Sequence, residues 1–291
     1  MPHFKPGDRV LLFSGSTIGF PVAFMGIVMA GGVFTGANPT FVARELAYQL
    51  KDSGASYLLC GEANMEVALK AAEEAGLPKD RVRWIDDDVL WSQESLTKED
   101  IGGVKYWQDV FAQEAHDYQW PELKGANEAA DTIVALNYSS GTTGVPKGVM
   151  ITHKNYVSNC LQYSHLQSVW PNSKERTQRA KWLCFLPLYH AMAQTIMLTG
   201  GPHRKIPVYI MPKFEFVPML ENIQKFRITD LIMVPPIAVA LAKQPIVRKY
   251  DLSSIETIGS GAAPLGSEAS RELEKIWNGR LNLKQGWGMT E

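Results

Sequence analysis

The stretch TIVALNYSSGTTGVPKGVMITHKN, Thr132–Asn155, sets a block of glycine, serine and threonine between two β-prone runs. A flexible linker is set aside, because Gly/Ser linkers are not bracketed by runs such as TIVALNY and VMITH. The segment is a loop between strands. In such loops glycine lets successive backbone N–H groups point into one concavity, a nest that binds anions. Ser139, Ser140, Thr142 and Thr143 add hydroxyl donors around Gly141 and Gly144, and Lys147 adds a point charge on a flexible stem. This combination suits a polyphosphate. A Walker loop is excluded: that motif requires glycine before its lysine and serine or threonine after it, where this chain has Pro146 and Gly148. It also opens directly into a helix, whereas VMITH reads as a strand. Pro146 fixes a turn, so the spacing predicts a hairpin that closes over phosphates.

Outward from this loop, short apolar runs alternate with helical patterns, the signature of βα units on a mostly parallel sheet. RVLLF (Arg9–Phe13) reads as a strand and Gly19–Ala30 as an uncharged, buried helix. Thr40 is expected to cap a helix with Val42, Leu46 and Leu50 on one face, ending at Gly54. ASYLLC is a second strand. Asn64 is expected to cap the next helix, which Gly76 and Pro78 stop, and RVRWI closes a βαβαβ lobe. The pattern weakens between Asp86 and Asp131, which places the lobe boundary there: residues 1–130 form the first lobe with its connection, and 131–291 the loop-bearing lobe. The second lobe carries strands in TIVALNY, WLCFL, PVYIM, DLIMV and IETI. A helix from Ser267 presents Ala269, Leu273 and Ile276 on one face and ends at Gly279. The fold class is α/β, with two βα lobes of mixed, mostly parallel sheets and a site where loops leave the strands.

Composition narrows the function. Lys plus Arg total 29 against 30 for Asp plus Glu, so no general field for polyanions exists and nucleic acid is not an expected partner. The charge runs Asp86–Asp88 and Lys174–Lys181 read as solvated loops. Three cysteines, Cys60, Cys160 and Cys184, lack metal-ligand spacing and read as reduced thiols of an intracellular protein. The start, MPHFKPGDR, lacks the apolar core of a secretory signal. No charge stands between Arg9 and Arg44, but Gly31-Gly32 and Gly36–Pro39 interrupt the stretch. The remaining helix is well short of the roughly 20 residues a bilayer needs, so no membrane span is expected.

Four segments in order carry a resemblance: YSSGTTGVPKGVMITHKN, FLPLYHAMAQ (Phe185–Gln194), SGAAPLG (Ser260–Gly266) and GWGMTE (Gly286–Glu291). They resemble the signatures of the adenylate-forming superfamily of acyl-CoA synthetases, luciferases and peptide-synthetase adenylation domains. YDLSSIETIGSGAAPLG and VPPIAVALAK are most similar to the 4-coumarate:CoA ligase-like branch. The resemblance implies ATP-dependent activation of a carboxylic acid to an acyl-adenylate, then thioester formation with coenzyme A. It implies that Ser139, Ser140, Gly141, Thr142, Thr143, Gly144 and Lys147 hold the β- and γ-phosphates. It also implies that Thr290 contacts the AMP phosphate beside Gly288 and that Glu291 ligates Mg²⁺.

Gly261, Ala262 and Ala263 are expected to line the adenine and the acyl pocket, a tight strand-to-helix turn being compatible with that role. Trp287 is expected either to stack on the adenine or to pack in the core. His190 borders the acyl carboxylate by resemblance, with a structural histidine as the rival. Met192 and Ile196 stand where plant hydroxycinnamate ligases carry a tyrosine and a polar residue. An apolar, pliable methionine predicts an unhydroxylated aryl acid or a medium-chain fatty acid. The resemblance further implies that the ribose-binding aspartate, the hinge and the small C-terminal domain with its adenylation lysine fall after Glu291. On that reading the chain is a partial large domain, inactive alone; a catalytically dead nucleotide-binding or interaction module is the alternative. A cytoplasmic or peroxisomal location is expected.

Overall fold

The computed structural model describes residues 3–91, 98–111, 118–139 and 144–290. Two compact units divide the chain: Met1–Asn159 with Leu188–Ala191, and Cys160–Pro187 with Met192–Glu291.

The first unit contains β1 (Arg9–Phe13), α1 (Gly19–Met29), β2 (Val33–Gly36), α2 (Ala43–Ser53), β3 (Tyr57–Gly61), α3 (Met65–Ala75), β4 (Val82–Ile85) and β5 (Lys105–Tyr106). It continues with α4 (Ala126–Asp131), β6 (Ile133–Ser139) and β7 (Lys147–Thr152), and α5 (His153–Ser168) runs out of it. Among the described residues the strands form one sheet in the order β5-β4-β3-β1-β2-β6-β7, parallel throughout except for the β6–β7 hairpin. Val10, Leu11, Leu12 and Phe13 of β1 are all buried, as are Leu58, Leu59 and Cys60 of β3, the continuous apolar run expected of parallel strands covered on both faces. Phe20 and Phe24 of α1 meet Phe34 of β2 edge-on, with ring centroids 5.9 and 4.9 Å apart.

Several local expectations change. Helix α2 starts after Val42, not Thr40: the Asn38 carboxamide oxygen accepts the Thr40 N–H (3.1 Å) and hydroxyl (2.9 Å), and Glu45 accepts the Val42 N–H at 3.0 Å. Val42 is 57% exposed and does not join Leu46 and Leu50 in the core. Gly54 closes the helix in the left-handed region at φ 62°. Asn64 does not cap α3; its side-chain amide donates to the Pro39 carbonyl at 2.9 Å. The Asp86–Asp88 run is structural. Asp87 accepts the Ile18 N–H (3.1 Å) and the Gly19 N–H (2.6 Å), capping the uncharged α1, which has no cap of its own. Asp86 accepts from Lys98 and from the Tyr106 hydroxyl.

A buried polar relay ties α2 to the sheet. Gln49, 2% exposed, donates to Thr35 Oγ1 (3.0 Å) and to the Gly36 carbonyl (3.1 Å), and the Thr35 hydroxyl donates to the Leu136 carbonyl at 2.8 Å. The last bond crosses to β6, whose Ala135 and Leu136 pair with Phe34 and Thr35. The division between units therefore falls at Asn159/Cys160 rather than at 130/131. The strands carrying the opening loop belong to the first sheet because β2 is their partner.

The second unit contains α6 (Ser173–Arg179), β8 (Trp182–Cys184), α7 (Ala191–Ala193) leading into a π-helical stretch (Gln194–Gly200), α8 (Gly201–His203), β9 (Val208–Ile210), α9 (Phe216–Phe226), β10 (Asp230–Met233), α10 (Pro235–Lys243), β11 (Thr257–Ser260), α11 (Ser267–Ile276) and β12 (Asn282–Gln285). Its described strands form a wholly parallel sheet in the order β12-β11-β10-β8-β9. The IETI expectation shifts two residues, since β11 begins at Thr257. On α11, Ala269 and Leu273 are buried, but Ile276 is 41% exposed. The Lys174–Lys181 charges lie largely on α6: Arg179 forms a two-pronged pair with Glu256 (2.6 and 2.9 Å) and Arg176 donates to Thr257 Oγ1 at 2.7 Å.

All three cysteines are buried and free. Burial pushes the Cys60 and Cys184 thiols up to about 12, so neither ionises at pH 8. Native protein at pH 8 is expected to leave both unlabelled by a thiol-disulfide reagent until denaturant opens the sheets. Stoichiometric labelling of either without unfolding would contradict the burial.

Candidate functional site

In the first unit, the β6–β7 ladder runs from Ile133–Thr152 to Ser139–Lys147, so the predicted hairpin is present and the loop leaves β6 at its C-terminal end. Ser140, Gly141, Thr142 and Thr143 lie outside the described residues. Gly144 takes φ 82°, a conformation that favours glycine, and Lys147 opens β7 with its side chain exposed. Tyr138 donates its hydroxyl to Asp52 at 2.6 Å, and Tyr48 donates to the Pro146 carbonyl at 2.9 Å.

The Leu188–Ala191 segment packs at the same edge of this sheet, because the Leu188 N–H donates to Ser16 Oγ (3.3 Å) and Tyr189 lies on Gly36, the last residue of β2. A Cβ placed on Gly36 would stand 2.9 Å from Tyr189 Cβ. This contact fixes the backbone leading to His190. Desolvation lowers the His190 pKa below its ordinary 6.5, so the imidazole is neutral at pH 7 and offers a hydrogen bond rather than a charge.

In the second unit, the turns after adjacent parallel strands meet. The Gly261 N–H donates to the Met233 carbonyl at 3.1 Å and the Gly286 N–H to the Ser260 carbonyl at 2.9 Å, which extends the β10-β11-β12 ladder into the turns. A Cβ on Gly261 would lie 3.4 Å from the Gly286 carbonyl oxygen and 3.5 Å from Met192 Sδ. The structure thus brings Gly261, Gly286 and Met192 together, three positions that the sequence placed in separate motifs. Ala262 adopts φ 68°, left-handed for a residue with a Cβ, a strain of about 1 kcal/mol held by the flanking ladder. Ala263 and Gly288 are exposed, and Thr290 is half-buried.

Trp287 is 87% exposed, so core packing is corrected: the indole presents its face to solvent at the end of β12. Ile196 sits half-buried on the π-helical stretch, an irregularity that concentrates at functional sites. Sequence reasoning missed Ser260. Its hydroxyl is buried without a hydrogen-bond partner among the described residues, one position before Gly261. Its place at the head of SGAAPLG was the available signal.

Among the described residues no group of three His, Cys, Asp or Glu could hold a metal ion, and Glu291 falls outside them. A hard cation of the Mg²⁺ type keeps several waters and rides on substrate phosphates with one or two carboxylates, so it requires no such cage. No helix of the described residues is long and apolar enough to cross a membrane.

Residues 3–291 match the family model described as AMP-binding enzyme. The chain is 36% identical over 291 residues to 4-coumarate--CoA ligase 1 of Petroselinum crispum, covering 99% of this chain and 48% of that protein. It therefore spans about half the length of the curated relatives it matches. Among solved structures, a natural red emitting luciferase from Phrixothrix hirtus superimposes with a TM-score of 0.82 at 25% identity, covering 99% of this chain and 66% of the luciferase. A long-chain-fatty-acid-CoA ligase from Archaeoglobus fulgidus gives a TM-score of 0.80 at 22% identity over 99% of this chain and 54% of that one, a likeness of fold.

Proposed function

Because the chain belongs to the AMP-binding enzyme family, we propose that it carries the nucleotide- and acid-binding part of an ATP-dependent carboxylic acid–CoA ligase. The reaction is formation of an acyl-adenylate with release of pyrophosphate, followed by displacement of AMP by the thiol of coenzyme A. The observation that carries the reading is the second unit's cluster: two strand-end turns meet at Gly261 and Gly286, with Met192 against them and Trp287 exposed beside them. Small residues there allow a flat base to approach the backbone, and the indole offers a face for stacking.

The chemistry brings a carboxylate to a triphosphate, and each unit-charge repulsion at about 4 Å costs roughly 4 kcal/mol at an effective dielectric of 20. On this reading the loop from Ser139 to Lys147 offsets that charge on the β- and γ-phosphates with backbone N–H groups, hydroxyls and the Lys147 ammonium. Thr290 serves the AMP phosphate. Glu291 is the residue that would hold Mg²⁺, which when bound supplies further neutralisation of the phosphates. Neutral His190 positions the acyl carboxylate without adding charge.

For the acid, Met192 against Gly261 supports an apolar substrate, an unhydroxylated aryl acid or a medium-chain fatty acid. ATP–pyrophosphate exchange with octanoate, cinnamate and 4-coumarate tests both points on the full-length product of the gene. Exchange that depends on the acid and favours octanoate or cinnamate is expected. A clear preference for 4-coumarate would overturn the substrate class, and ATP binding without exchange for any acid would leave a nucleotide-binding module in place of the ligase.

A further inference from the structure

Helix α2 holds both ends of the β6–β7 hairpin loop from outside. Gln49 anchors α2 into the sheet through Thr35 and Gly36, so α2 is a fixed post. From that post Tyr48 and Asp52, four residues apart and therefore on one face, reach the two ends of the loop. Asp52 accepts the Tyr138 hydroxyl (2.6 Å) on the outgoing strand, one residue before Ser139. Tyr48 donates to the Pro146 carbonyl (2.9 Å) at the returning end of the loop, one residue before β7 opens at Lys147. The Tyr138 ring also covers its cross-strand partner Gly148, where a Cβ would lie 3.1 Å from Tyr138 Cζ. Burial and Asp52 raise the Tyr138 pKa, so the phenol stays a donor across the working pH range. Both stems of the loop are thus referred to the same rigid element, and their separation is fixed before any ligand arrives.

We propose that Tyr48, Asp52 and Tyr138 are positioning residues that hold the two ends of the phosphate loop, at Ser139 and at Pro146–Lys147, and through them set the affinity for the polyphosphate end of the nucleotide. The affinity half rests on the reading of Ser139 to Lys147 as the holder of the β- and γ-phosphates; the mechanical half does not.

Two measurements on the chain separate them. Hydrogen exchange without nucleotide, read over residues 144–152, is expected to quicken about fivefold in Tyr138→Phe and Asp52→Ala, with residues 10–13 of β1 unchanged. Calorimetric titration is expected to show ATP binding weakened about five- to tenfold in each and about threefold in Tyr48→Phe, with AMP binding within about twofold of the parent. The Tyr138→Phe/Asp52→Ala double variant should be no weaker than the worse single, because both remove the Tyr138–Asp52 bond. General loosening of the fold would weaken ATP and AMP together and would overturn the proposal, as would variants that match the parent in exchange and in ATP affinity. A parent that binds AMP no less tightly than ATP would reject the polyphosphate half, and the exchange result would then decide the mechanical half by itself.

Discussion

Replacing Gly36 by valine is expected to cost about 3 kcal/mol of unfolding free energy, the upper part of the range for overpacking a filled site. Even the first added carbon would stand 2.9 Å from Tyr189 Cβ, 3.0 Å from Phe34 Cζ and 3.1 Å from Tyr189 Cα. Phe34 is held by Phe20 and Phe24 and does not swing away. The Tyr189 atoms belong to or adjoin the main chain, so relief comes from pushing back the Leu188–Ala191 segment that carries His190. The effect is therefore double: the melting temperature of the first unit falls by about 9 °C, and any ligand that contacts His190 binds less well. Thermal melts with and without an apolar carboxylic acid check both. A Gly36→Val chain that melts within about 2 °C of the parent would mean that the segment yields freely, contrary to the close fit.

Asp109→Ala is expected to cost about as much by a different route. Arg83 on β4 is 4% exposed, and its guanidinium donates Nε to both oxygens of Asp109 (2.7 and 3.0 Å) and Nη1 to the Asp80 and Val82 carbonyls (2.7 and 2.8 Å). The alanine leaves a buried cation facing only carbonyl dipoles, a loss of about 3–5 kcal/mol in comparable sites. The lower end applies because the Asp109 side chain is 37% exposed, so water replaces part of the lost partner. Arg83→Met combined with Asp109→Asn removes the charge and its counter-charge together and should recover most of the stability. Urea melts of the two variants decide it: equal losses in the single and double variants would show that packing around β4, and not the stranded charge, sets the cost.

The strands and the hairpin were legible because β-branched runs flanked by glycine and proline are short-range signals. The meeting of Gly261 with Gly286 follows from β11 and β12 being parallel neighbours, since their C-terminal turns must then lie side by side. What stayed hidden was non-local. The sequence pattern weakens before Asp131, but β6 belongs with β2, and the partner of a strand is not written in the strand. Val42 and Ile276 keep helical spacing with buried neighbours, yet sit past the edge of what the helix face covers. Spacing identifies a face, not its width. Asn64 and Thr40 carry capping side chains, but the Pro39 carbonyl and the Asn38 carboxamide oxygen took those groups first. At the site, the approach of Met192 to Gly261 and the Ser260 hydroxyl buried without a partner among the described residues arise from packing between distant segments.

The dependence of α1 on Asp87 has a consequence for biosynthesis. The two amides at the start of that helix wait for a carboxylate 68 and 69 residues further along the chain. At 5–20 residues per second a ribosome needs roughly 3–14 s to supply it. During that interval the nascent chain trails a stretch without a single charge between Arg9 and Arg44, with β6 not yet made to stand beside β2. A newly made copy is therefore expected to need holding chaperones early, its demand falling once the segment that carries Asp87 clears the exit tunnel and again when β6 follows to pair with β2.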